Sequence, residues 1–208
     1  MTWTAWLSLA AVCTMGAMSP GPSLAVVVRH TVRRSRAHGV AVALAHALGV
    51  GFYALVTTLG LAAVLVAHPL LYQGLALAGA AYLAWLGWRA VHASAGTVNT
   101  DGPAMAGGVF AAARDGFLIA FLNPKIAVFF LALFSQFVHA DMGITETAIF
   151  WATATVIDGG WYALVAVALS RGRVLDWLRR NAHWVDRLTG VILLGLAAVT
   201  GVRVLSGA

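Results

Sequence analysis

The sequence predicts an all-α integral membrane protein: six transmembrane helices arranged as two inverted three-helix repeats, with both termini outside. Three observations carry that expectation. The 208-residue chain is 61% hydrophobic and only 10% charged, with a mean hydropathy of +0.87. An average soluble domain is about 25% charged. Its apolar residues gather into segments of bilayer length, and its basic residues concentrate in every other loop between those segments.

A hydrocarbon core of about 30 Å takes roughly 20 apolar residues per helix. Six segments meet that length, at about 3–28, 39–67, 70–91, 115–138, 146–169 and 185–205. Little is left for a soluble domain, so one transmembrane domain is expected over 1–208. A cleaved signal peptide is not expected, because no Lys or Arg precedes Arg29 and the positive leading region is missing. "LAAVC" places Val12 where a lipoprotein site wants a small residue. Cys13 is the only cysteine, which excludes an intramolecular disulfide and a dithiol electron carrier.

The basic residues set the orientation. Arg29, Arg33, Arg34 and Arg36 fall in the first loop, Arg89 and Arg114 in the third. Arg171, Arg173, Arg179, Arg180 and Arg187 fall in the fifth. The N-terminal tail and the second and fourth loops hold none. The positive-inside rule then puts loops one, three and five in the cytoplasm and both termini outside. This placement accounts for the pI of 10.5 without nucleic acid; the partners it implies are the bilayer and its anionic headgroups.

The segments also repeat. "GVGFYALV" (49–56) resembles "DGGWYALV" (158–165), "GPSLAVV" (21–27) resembles "NPKIAVF" (123–129), and "GWR" (87–89) faces "GVR" (201–203). The matches keep their order, which suggests a duplication of three spans. Three is odd, so the second copy is inverted. That plan recurs in secondary transporters, with the substrate site at the repeat interface. The first repeat is read over 1–91, a cytoplasmic linker over 92–114 and the second repeat over 115–208. The linker contains the polar run "HASAGTVNTDGPAMAGG" (92–108).

Each repeat breaks its first helix. Pro20, Gly21 and Pro22 interrupt one, Asn123 and Pro124 the other. Proline removes a backbone donor and clashes with the preceding turn. In lipid the freed groups need protein, water or ligand. Past each proline the restarting helix offers N–H groups and a positive dipole end, which suit a carboxylate.

"SPGPS" in a first span and "NPK" in a fourth, over six spans and about 200 residues, resemble the LysE/RhtB family of amino acid exporters. "GAAYLAWLGWR" (79–89) also fits, and the resemblance covers the whole chain. It implies a bacterial inner-membrane exporter of amino acids or related metabolites, driven by an ion gradient, homodimeric and without cofactor or bound metal. The residues it implies for substrate binding are Ser19, Pro20, Gly21, Pro22, Ser23, Asn123, Pro124 and Lys125. Members that export basic amino acids carry acids in the second span. This chain has His46 there instead, which leans toward a neutral substrate.

The titratable residues sharpen the site. Lys125 lies about ten residues past Arg114, roughly 15 Å along a helix. A charge at that depth is a functional candidate, either for a substrate carboxylate or for pairing Asp158; snorkelling to the interface is the plainer alternative. Asp158 and His46 are the candidates for proton coupling, with structural hydrogen bonding as the alternative for both. Gly49, Gly51, Gly159 and Gly160 are expected at close helix contacts, and Trp161 and Tyr162 are candidates for the path.

Other classes fit less well. An intramembrane serine protease has Ser23 and His46 but no Gly-x-Ser-x-Gly elbow. A metal-ion exporter has only His46 and Asp158 as ligands within the spans. A small-solute channel of similar architecture stays open.

Overall fold

The computed structural model describes residues 2–19, 21–92, 107–139, 141–169 and 173–206. Among these residues there are eight helices and no strand: α1 (Trp3–Met18), α2 (Pro22–Arg33), α3 (Arg36–Ala67), α4 (Pro69–Val91), α5 (Val109–Phe121), α6 (Pro124–Phe134), α7 (Ile144–Leu169) and α8 (Arg173–Ser206). Pro20 and most of the expected linker, residues 93–106, lie outside the described residues.

Local chemistry sets the boundaries. Thr2 caps α1 by accepting from the Ala5 amide at 3.2 Å. Prolines open α2, α4 and α6 at the first helical position, where no N–H is needed. α3, α4 and α7 are each long and apolar enough to cross a bilayer. α1 with α2, and α5 with α6, are bent pairs of 59° and 55° that each reach spanning length together. α8 differs from expectation. Its apolar stretch is Arg187–Val202, but the helix starts at Arg173, inside the expected fifth loop. From Arg173 to Thr189 the sequence has neither glycine nor proline to stop it.

α3 is the central element. It exposes Leu44, Leu48, Phe52, Leu55 and Leu59 along one stripe and buries Val42, Ala43, His46, Val50 and Ala54 on the other face. An apolar outer stripe is what a lipid-facing helix carries. With lipid outside, burial of oil gives little drive to helix association, so close backbone packing takes over. A Cβ at Gly116 on α5 would strike the Val42 carbonyl of α3. A Cβ at Gly87 would lie 2.7 Å from the Gly190 carbonyl oxygen, and one at Gly190 2.6 Å from that of Gly87, so α4 and α8 cross glycine on glycine. Gly49, Gly51 and Gly159 also face close neighbours, but Gly160 has nothing within 4 Å, contrary to expectation.

α3 packs along α7 and α5, α4 along α8, and α1 reaches α7 and α8. One apolar cluster centres on Phe129, Phe130, Phe134 and Phe150, with successive rings edge to face at 5.1–5.7 Å. A second gathers Val27, Val28, Val42, Tyr162 and Val165. Residues of both clusters, Phe129 and Phe130 of the first and Tyr162 of the second, line one cavity.

Candidate functional site

α2 begins at Gly21, which has extended backbone (φ −176°, ψ −172°) and no side chain to cap the helix. Pro22 occupies the first position, and Gly21 O accepts from Ala25 N at 3.0 Å. The amides of Ser23 and Leu24 follow in the first turn, without a capping side chain and at the positive end of the helix dipole.

α6 begins differently. Asn123 Oδ1 accepts from the Lys125 amide at 3.0 Å, and Asn123 O accepts from Ile126 N at 3.0 Å. The α6 donors expected to meet a substrate are thus already engaged. Lys125 Nζ reaches across to Ser19 Oγ at 3.5 Å, which joins the two breaks.

The second feature is buried. Asp158 Oδ2 lies 2.7 Å from His46 Nδ1, and His46 Nε2 lies 2.8 Å from Ser23 Oγ. With the imidazole neutral, Nδ1–H donates to the carboxylate and the serine hydroxyl donates to Nε2. His46 is 1% exposed, and Asp158 and Ser23 are 7% each. Tyr162 packs edge-on to the imidazole at 5.0 Å, fixing its plane. Asp158, one of two partners expected for Lys125, is held by His46. α3, α7 and α2 supply one residue each, and Ser23 belongs to both features: its amide lies in the uncapped turn, its hydroxyl in the buried line. Hydrolases align nucleophile, base and orienter in this order; here the serine sits in a helix restart after Pro22.

These groups border one cavity of about 460 Å³, in the range of small-molecule sites. Ser19, Gly21, Pro22, Ser23, Asn123, Lys125, His46, Asp158 and Tyr162 all line it. Of the expected site residues, Pro124 opens α6 beside it, and Pro20 lies outside the described residues. Trp161 is not a lining residue; it packs against the second apolar cluster. Phe129, Phe130 and Ile126 form an apolar wall.

Sequence reasoning missed the α4 wall, where Tyr82, Trp85 and Arg89 line the cavity. Arg89 had been read only as an orientation signal. The clue was their spacing of three and four residues, which places them on one helix face. No group of three or more His, Cys, Asp or Glu side chains able to hold a metal occurs among the described residues.

The family model for LysE type translocators matches residues 14–203. The chain is similar to the threonine efflux proteins of Escherichia coli (strain K12) and Salmonella typhimurium, each 27% identical over 91% of this chain and 94% of theirs. It is also similar to an uncharacterized membrane protein of Pseudomonas aeruginosa, 29% identical over 90% of each chain. No solved structure matches. Both helix breaks, the His46–Asp158 pair and the α4 wall fall inside the matched stretch, and the chain belongs to the LysE type translocator family of membrane transporters.

Proposed function

We propose that the protein exports small neutral amino acids, threonine among them, from the cytoplasm of a bacterium across its inner membrane in exchange for protons. The observation that carries the reading is the cavity in which the uncapped start of α2 and a buried His–Asp pair share Ser23. Relatives named for threonine efflux support the neutral substrate.

In this reading the substrate carboxylate docks at the uncapped start of α2, with the Lys125 ammonium, which reaches Ser19, beside it. The proton binds at His46–Asp158. Protonated His46 donates from Nε2 to Ser23 instead of accepting, so the serine hydroxyl reorients. Proton load is thereby reported to the helix turn that holds the substrate. The other ionisable groups lining the cavity are Tyr162 on α7, Cys13 on α1, Lys125 on α6, and Tyr82 and Arg89 on α4. Six spans as two inverted repeats, both termini outside and a homodimer complete the proposal. The two bent pairs and the α3–α7 and α4–α8 packing support the repeat.

The test uses purified protein in liposomes preloaded with L-threonine. The reading predicts efflux that rises with an inward proton gradient and proton uptake in step with it. Efflux indifferent to the gradient would remove proton coupling; no efflux of any neutral amino acid by folded protein would remove the exporter reading.

A further inference from the structure

The α4 wall has no part in the proposed reaction, yet its chemistry is distinctive. Tyr82, Trp85 and Arg89 form a ladder: the Tyr82 and Trp85 rings are 5.5 Å apart and 33° from parallel, and Arg89 Cζ lies 4.9 Å from the Trp85 ring centroid. All three line the cavity. The residue just before Arg89 behaves differently. Trp85, Trp88 and Arg89 are all exposed, but Trp88 stacks on His92 at 4.0 Å and is absent from the cavity lining. Arg89 and Trp88 are chain neighbours, so an arginine needed only for orientation could stand at either position.

The charge balance adds a second argument. Among the described residues, the cavity's cations are Lys125 and Arg89, and its acid is Asp158, already engaged by His46. The excess is positive. Arginine stays charged and presents a planar fork that matches a carboxylate with two parallel hydrogen bonds. An aromatic face beneath it holds the guanidinium and sheds part of its water.

We propose that Arg89 is a further specificity determinant of the cavity, engaging the same substrate carboxylate as the α2 turn and Lys125, with Trp85 as its positioning residue. The proposal rests on the amino acid export reading. It adds that the cavity selects carboxylate-bearing substrates and rejects their amides, whatever the side chain.

The experiment measures efflux of radiolabelled L-threonine from proteoliposomes, with unlabelled L-threonine or L-threonine amide as internal competitor. Wild-type protein competes with the acid at least about tenfold better than with the amide, the size of one charge-assisted hydrogen bond. Arg89→Gln raises the KM for L-threonine by a similar factor, leaves the maximal rate within about twofold and sharply reduces the preference for acid over amide. Arg89→Lys, which keeps the orienting charge, recovers part of the affinity, and Trp85→Leu raises KM by a smaller factor. If the wild type moves L-threonine and folded Arg89→Gln keeps both its KM and its preference, this inference falls and the export reading stands. A folded wild type that moves neither compound overturns both.

Discussion

The two helix breaks look alike in sequence and differ in what they leave open. At the start of α6, Asn123 closes the turn with its side chain and its carbonyl. At the start of α2, Gly21 has no side chain to do so, and Ser23 is instead tied to a buried histidine. One proline break is closed by its own side chain; the other has no side-chain cap, and its Gly21, Pro22 and Ser23 line a cavity. The difference teaches that a break is a candidate ligand site only where the capping position is unfilled.

The comparison can be broken most forcefully through His46, the link only α2 possesses. His46→Ala strands the Asp158 carboxylate, and losing one partner of a buried pair costs about 3 kcal/mol or more. Thermal unfolding in detergent should show a clear loss of stability, and efflux should no longer respond to a proton gradient. Retained gradient dependence would take the proton site away from this pair.

Gly21→Asp comes next. Its extended backbone accepts any residue, and a Cβ there has no neighbour closer than 4.0 Å. The new carboxylate would cap α2 and occupy the place given to the substrate. Efflux at low substrate should drop about tenfold while the melting temperature holds or rises. Unchanged efflux would mean that the α2 donors do not meet the substrate.

Asn123→Ala should have the smallest effect on transport. It removes a cap worth about 1 kcal/mol, so the melting temperature falls while KM for export stays within about twofold. A KM increase matching that of Gly21→Asp would make the two breaks equivalent and end the distinction.

Much of this was legible in the chain. Asn-Pro at 123–124 is a capping residue followed by a first-turn proline, and the structure uses it so. Gly21 and Pro22 marked a helix restart, and α2 begins there. His46 and Asp158 each stood out as polar groups in apolar spans. Their bond to each other did not, because 112 residues separate them and one chain does not state which helices touch. Arg89 was hidden by a second, sufficient explanation, since a basic residue at a helix end already serves orientation. Gly160 misled because glycine packs helices only where a neighbour is present. The early start of α8 was missed because arginines were read as loop, although arginine is a good helix former.

The central claim is that the substrate carboxylate binds the uncapped turn of α2 and not the capped turn of α6. Backbone amide NMR of protein labelled with 15N at leucine and lysine, in lipid nanodiscs, tests it directly. Addition of the exported amino acid should move the Leu24 amide resonance downfield in a saturable way and leave Lys125, the one lysine, in place. The amino acid's amide should do much less. A shift at Lys125 with Leu24 unmoved would contradict the account.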